Sequence, residues 1–121
     1  IPDSGGTFTL PRSVGMQHAF GQMILAPKIS AKEAEEKGMI WLAVPDADLI
    51  NEATVLAEKL AAMPTKAIAL TKEALNRSLN NTMDGQLDVE NELQTIAGRS
   101  HDYTEGVNAF LEKRKPVYKG N

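Results

Sequence analysis

An acidic side chain stands just ahead of two adjacent glycines in the run Ile1-Pro2-Asp3-Ser4-Gly5-Gly6-Thr7. Paired glycines let a backbone turn sharply or come close to a ligand, so the carboxylate of Asp3 points wherever that turn directs it. Two uses of the group are open. As a helix cap, its oxygens would accept N–H bonds from Gly5 or Gly6, and the helix dipole would favour the ionised form. As a general acid/base it would exchange a proton near neutrality, which for a carboxyl group requires partial burial or a neighbouring carboxylate. The two uses make opposite electrostatic demands.

A second group with possible chemistry is the basic run Lys113-Arg114-Lys115. In a last helical turn these cations would meet the negative end of the dipole; alternatively they would pair with phosphates at a subunit boundary. The run is too short for a nucleic-acid site, and a net charge of −3 from 13 basic and 16 acidic residues offers no broad basic field for one. His18 and His101 stand far apart, without metal-ligand spacing, and read as structural or surface residues. The acidic clusters Glu33-Glu35-Glu36 and Asp88-Glu90-Glu92 read as solvated helix faces. The absence of cysteine excludes disulfides, thiolate catalysis and thiolate zinc sites. Neither a dinucleotide-binding glycine fingerprint nor a phosphate-binding P-loop is present.

The elements that would position these residues are mainly helical. At 42% hydrophobic residues the chain of 121 is suited to one compact domain rather than to disorder. Thr7 to Val14 reads as a turn or two, interrupted at Pro11 and stopped by Gly15. Apolar residues at Met16, Ala19, Phe20, Met23 and Ile24 lie on one helical face, ended by Pro27. Ser30 and Glu33 form a capping box opening a helix to Lys37, with Gly38 as its C-cap. Met39 to Val44 is the one predicted strand, with Trp41 in its core, and its backbone groups need a partner sheet. Asp46 or Asp48 can cap a helix running to about Met63. A further helix follows Pro64-Thr65 and ends near Asn80-Asn81; another starts at Thr82 and stops at Gly98. The last is capped by Ser100 or Asp102 and continues through Leu111, before Pro116. No stretch approaches the ~20 apolar residues of a membrane span, no signal peptide is visible, and a cytoplasmic location is the default expectation.

These landmarks together resemble the enoyl-CoA hydratase/isomerase (crotonase) superfamily. The resemblance rests on Ile1-Pro2-Asp3-Ser4-Gly5-Gly6-Thr7, Leu10-Pro11-Arg12 with Val14-Gly15, Ile29-Ser30-Ala31 with Glu33-Ala34, and Gly38-Met39-Ile40. It continues through Thr71-Lys72-Glu73-Ala74-Leu75-Asn76, Glu105-Gly106-Val107 and Ala109-Phe110-Leu111-Glu112-Lys113-Arg114, in family order over essentially the whole chain. Within the superfamily, Gly38-Met39-Ile40-Trp41, Gln86-Leu87-Asp88-Val89-Glu90 and Ala97-Gly98-Arg99-Ser100-His101-Asp102-Tyr103 are similar to the phenylacetate-pathway isomerases.

The resemblance implies a helical C-terminal part of the crotonase α/β spiral fold, mainly α with one short strand, the N-terminal core lying outside these residues. Residues 1–44 would close the core, and residues 45–121 would form a C-terminal helical trimerisation region. It also implies an isomerase of acyl-CoA thioesters, converting ring-1,2-epoxyphenylacetyl-CoA to oxepin-CoA, shifting enoyl-CoA double bonds, or both. Coenzyme A is then part of the substrate, with no separate cofactor or metal. Asp3 corresponds to the acid/base of isomerases in which a carboxylate replaces the glycine typical of hydratases. Lys113 corresponds to a lysine that approaches the nucleotide portion of CoA, often in a neighbouring subunit of a homotrimer or hexamer. Two backbone N–H groups from upstream loops would stabilise the thioester oxygen, and this part alone is expected to be inactive. An enoyl-CoA hydratase and a non-catalytic helical interaction module are the alternatives, with neither nucleic acid nor membrane as a partner.

Overall fold

Seven helices follow one another with no strand between them: α1 (Gly6–Val14), α2 (Met16–Leu25), α3 (Ala31–Glu36), α4 (Leu49–Ala61), α5 (Thr65–Ser78), α6 (Met83–Gly98) and α7 (His101–Leu111). The computed structural model describes every residue from Ile1 to Asn121. The chain divides into two compact units, Ile1–Leu49 and Ile50–Asn121.

In the first unit, α1 runs unbroken through Pro11, where the sequence predicts an interruption. Proline removes the N–H that would bond the carbonyl four residues back. Side chains add hydrogen bonds along the same helix: the Thr9 and Ser13 hydroxyls donate to the carbonyls of Gly5 and Thr9, and Arg12 Nη1 donates to that of Phe8 at 2.9 Å. Gly15 then separates α1 from α2, its N–H donating to the carbonyl of Pro11 at 3.0 Å. The two helices pack together and bury Val14 and Ala19. α2 ends at Ala26, whose N–H donates to the carbonyl of Gln22, and Pro27 prevents its continuation.

The predicted capping box is formed in full. Glu33 N–H donates to the Ser30 hydroxyl at 3.2 Å, and Ser30 N–H donates to Glu33 Oε2 at 3.1 Å. The backbone N–H of Ser30, its hydroxyl and nearby Lys37 hold the Glu33 carboxyl below its ordinary value. At the other end, Gly38 N–H donates to the carbonyl of Glu35 and Met39 N–H to that of Ala34, the paired bonds of a Schellman ending. Gly38 has φ 75°, and a Cβ there would lie 3.3 Å from the carbonyl oxygen of Ser13. Glycine is thus required twice over, by conformation and by the approach of α1.

The expected strand from Met39 to Val44 is not formed; Met39 to Trp41 bend and Leu42 to Val44 are irregular. A six-residue apolar run shows suitability for a strand, but a ladder needs a second backbone, and these residues have none alongside. The Ala43 N–H instead donates to Glu35 Oε2 at 3.2 Å, so one of the supposedly solvated glutamates fastens the segment to α3. Trp41, expected in a strand core, is 87% exposed.

The second unit is built on the α5–α6 hairpin. Arg77 on α5 bridges Glu73, one turn back, at 2.6 Å and Glu92 on α6 at 3.1 Å. Gln86 Nε2 donates to the carbonyl of Ala74 at 3.2 Å, and Leu93 is buried. α6 opens on Thr82, whose hydroxyl accepts the Gly85 N–H. α7 opens on Ser100, whose hydroxyl accepts the Tyr103 N–H at 3.1 Å and donates to the carbonyl of Ala97 at 2.6 Å.

Of the two candidate caps, Ser100 therefore does the capping, while Asp102 has a different task. Asp102 is 2% exposed, and its carboxylate accepts the N–H groups of Lys119 and Gly120 at 2.7 and 2.8 Å. Its own N–H donates to the carbonyl of Asn121 at 3.1 Å. Burial opposes the charge, but these two N–H groups, with His101 at 3.4 Å, outweigh it and hold the carboxyl below its ordinary value. The tail after α7 is thereby tied back to the start of α7. No helix is long and apolar enough to cross a membrane.

Substituting Gly38→Ala will lower the urea midpoint of unfolding, costing about 1–2 kcal/mol from the left-handed backbone alone. Gly38→Asn will lose less through the backbone, because asparagine tolerates that conformation. Equal stability of wild type and Gly38→Ala would contradict this account of the α3 ending.

Candidate functional site

Asp3 is held by a turn of two consecutive left-handed residues, Ser4 at φ 51° and Gly5 at φ 85°. Glycine takes that conformation freely; serine does so against a steric penalty. The carbonyl of Asp3 accepts the Gly6 N–H at 3.0 Å, and that of Gly5 accepts the N–H groups of Phe8 and Thr9. The cap of α1 is Gly5, with no side-chain cap bond. Asp3 thus contributes its backbone to the turn, whereas its exposed carboxylate accepts only the Ser4 hydroxyl, at 3.1 Å. The capping use of the carboxylate is not realised.

This segment rests against α2. Pro2 Cβ and Met23 Cε lie 3.9 and 3.8 Å from where a Cβ on Gly6 would stand. Beside Met23, both amide atoms of Gln22 are buried without a hydrogen-bond partner, an unpaired state that few buried polar groups show. Arg12 is committed elsewhere: its guanidinium lies 3.6 Å from the centroid of the Phe8 ring.

Lys113 belongs to the second unit and Asp3 to the first, and each is positioned by elements of its own unit. The basic run is not in a last helical turn, because α7 stops at Leu111. Lys113 is itself left-handed, at φ 54°. Its N–H donates to the carbonyl of Phe110 at 3.2 Å, and Arg114 N–H donates to that of Ala109 at 3.0 Å. These are again the two bonds of a Schellman ending, with lysine where glycine is usual.

Arg114 spans the turn. Its Nη1 and Nη2 donate to the two carboxylate oxygens of Glu105 at 2.6 and 2.9 Å, and its Nε donates to Glu112 at 2.6 Å. Glu105 Oε1 also accepts the Val117 N–H at 2.8 Å. The Arg114 fork, followed by that N–H, brings the Glu105 carboxyl down to about 2, and Glu105 in turn raises Arg114. Lys113 is exposed and makes no ion pair. Sequence reasoning singled out Lys113 but missed the roles of Glu105 and Asp102. The available signal was Pro116, which cannot extend a helix and biases the residue before it toward an extended backbone. That leaves the N–H groups of the tail in need of acceptors.

A profile of the enoyl-CoA hydratase/isomerase family matches residues 1–121. The chain is 49% identical over 120 residues to the 1,2-epoxyphenylacetyl-CoA isomerase of Escherichia coli K12, covering 99% of this chain and 46% of that protein. It is 33% identical to the 2,3-dehydroadipyl-CoA hydratase of the same organism, covering 99% of this chain and 47% of that protein. The crystal structure of an enoyl-CoA hydratase from Bacillus anthracis superposes with a TM-score of 0.90 at 37% identity, over 100% of this chain and 47% of that one. The chain therefore spans about half the length of the relatives it matches.

The Glu105 bonds carry a pH signature. Its carboxyl lies at about 2 in the folded chain against an ordinary 4.5. The stability it contributes is complete above 4.5 and is lost as pH falls from there through about 2. Unfolding midpoints measured across that range will fall with acid in the wild type. They will fall less steeply in Glu105→Gln, which will be the less stable protein near neutrality. Parallel acid profiles for the two would show that the Arg114 fork stores no charge-dependent stability.

Proposed function

The chain belongs to the enoyl-CoA hydratase/isomerase family, and from that premise we propose that the protein carrying it isomerises acyl-CoA thioesters with Asp3 as acid/base. The substrate is ring-1,2-epoxyphenylacetyl-CoA, rearranged to oxepin-CoA, or an enoyl-CoA whose double bond moves. The observation that carries this reading is that the Asp3 carboxylate neither caps α1 nor enters an ion pair and accepts only the Ser4 hydroxyl, while the Asp3 carbonyl bonds the turn. The 49% identity to a protein named as an epoxyphenylacetyl-CoA isomerase supports the same choice.

In a double-bond shift, the carboxylate removes a proton from one carbon of the acyl chain. The electron pair moves onto the thioester oxygen, where backbone N–H donors stabilise the negative charge. The double bond re-forms one position along as the same carboxyl returns the proton to another carbon, so Asp3 ends ionised as it began. A single residue can serve both transfers because the proton it takes from the first carbon is the one it delivers to the second. In the ring rearrangement Asp3 has the corresponding role of handling protons as the epoxide opens into the enlarged ring. Lys113 supplies a cation for the phosphates of the CoA nucleotide portion.

Assembly as a trimer or a pair of stacked trimers is part of this reading. Ile50, Val55 and Leu60 of α4, and Phe110 and Leu111 of α7, are exposed; extended apolar surface of this kind favours association. A second reading, an enoyl-CoA hydratase, is favoured by the names of the dehydroadipyl-CoA and Bacillus anthracis relatives.

Asp3→Asn in the intact protein will lower kcat for isomerisation by about 10²–10⁴-fold, the usual contribution of a positioned acid/base. The ring-expanded product and the shifted enoyl product are followed separately by chromatography. Ser4→Gly will keep the turn and the activity within a few-fold. Full activity in Asp3→Asn would remove Asp3 from the mechanism; hydration of an enoyl-CoA unaffected by that substitution would favour the hydratase.

A further inference from the structure

The ending of α7 puts a lysine at a left-handed position that glycine normally fills. A conformation disfavoured for lysine persists only where surrounding contacts impose it. Here Arg114 supplies most of them. Its backbone N–H closes the turn onto Ala109, and its guanidinium reaches back to Glu105 on α7 and across to Glu112. Nη1 also donates to the carbonyl of Lys115 at 3.3 Å. Glu105, only 15% exposed at its side chain, takes the Val117 N–H on the far side of the turn. One guanidinium and one carboxylate therefore fix the backbone on both sides of Lys113.

The same contacts leave Lys113 without a partner, as Lys115 also is. Lys113 has Glu112 as its immediate neighbour in sequence and Glu105 on the preceding helix, either of which is a natural partner for an ammonium. Arg114 occupies both, through a bidentate fork on one and Nε on the other, the geometry that a guanidinium provides and an ammonium does not. Lys113 is left exposed and outside every ion pair.

We propose that the Glu105–Arg114 pair is a positioning latch, holding the left-handed turn and keeping both carboxylates away from Lys113 so that its ammonium stays available to a phosphate of the acyl-CoA nucleotide portion. This rests on the assignment of Lys113 as a phosphate contact. Glu105 and Arg114 do not touch the ligand; they act through Lys113.

The test measures binding of coenzyme A and of pantetheine, which lacks the nucleotide phosphates, to the intact protein by calorimetry well below the unfolding midpoint. Lys113→Ala will weaken coenzyme A about tenfold, the loss of one charge-assisted contact, and leave pantetheine unchanged. Glu105→Gln will weaken coenzyme A several-fold and spare pantetheine. Arg114→Lys, which keeps the charge but not the fork, will do the same and serves where Glu105→Gln does not fold. Added to Lys113→Ala, neither latch substitution will have a further effect on coenzyme A. Unchanged affinity in Lys113→Ala would overturn the phosphate contact and the latch with it. A normal Lys113→Ala result with latch variants that lose stability but keep their coenzyme A-to-pantetheine ratio would overturn the latch alone. A latch effect that persists in the Lys113→Ala background would also overturn it.

Discussion

The N–H and C=O groups at helix ends must find partners, and in this chain that requirement sets the path of nearly every turn. Val14, Ala19, Leu93 and Ala109 are the buried apolar residues, and none is large enough to organise a domain by itself. The chain is directed instead at its helix ends: the Ser30–Glu33 box, the Gly38 ending, the Thr82 and Ser100 caps, and the Lys113 ending. Where the backbone leaves a helix with no further turn to bond to, carboxylates take over. Glu35 accepts from Ala43, Glu105 from Val117, and Asp102 from Lys119 and Gly120. Four N–H groups of irregular backbone thus reach three acidic side chains.

This arrangement explains why the tail after α7 has a defined path without any secondary structure of its own. Asp102 and Glu105 lie three residues apart on α7, so they share a face and sit about one turn apart. The tail returns along that face, and Gly106 leaves room for the Tyr118 ring, whose hydroxyl would stand 3.3 Å from a Cβ there. Charged acceptors suit this work because a carboxylate can bind two donors at once and makes stronger bonds than a neutral oxygen. Asp102 takes two backbone N–H groups, and Glu105 combines one with a guanidinium. The same bonds hold both acidic groups below the ordinary carboxyl range, which ties the path of the tail to their ionised forms.

Elements governed by neighbouring residues were legible in the sequence. Ser30 with Glu33, Gly38, Thr82 and Gly15 act within three or four positions of the residues they control, and each performs its expected role. Two features were misread for opposite reasons. The apolar run from Met39 to Val44 is strand-like in composition, but a strand exists only with a partner, which composition does not supply. Pro11 suggested a break, yet one missing N–H is tolerated in a short helix whose Thr9, Arg12 and Ser13 side chains bond its carbonyls. The tail clamps were not legible because Asp102 and the N–H groups it accepts are 17 and 18 residues apart, a span over which no local pattern operates. At the candidate site, the type and position of Asp3 and Lys113 were readable. The Ser4 hydroxyl on the Asp3 carboxylate and the guanidinium that isolates Lys113 were not.

Three residues other than glycine are left-handed, namely Ser4, Ala26 and Lys113, and comparing them shows what such strain does and does not imply. Ala26 follows α2 and precedes Pro27; its N–H closes the helix onto Gln22, and its methyl group contributes no polar chemistry. Glycine would serve there equally well, so a left-handed residue is not by itself a mark of function. Ser4 and Lys113 differ in that glycine would meet the backbone requirement but lose something specific. At Ser4 the loss is the hydroxyl donated to Asp3; at Lys113 it is an unpaired ammonium whose acidic neighbours are already taken by Arg114. Strain gains functional meaning when the side chain that causes it has a partner, or has been denied one, for reasons the backbone does not explain. By that criterion Lys113 is the one residue singled out by chemistry in the sequence that also carries such a conformation, while at the other candidate the left-handed residue is Ser4, the neighbour that donates to Asp3.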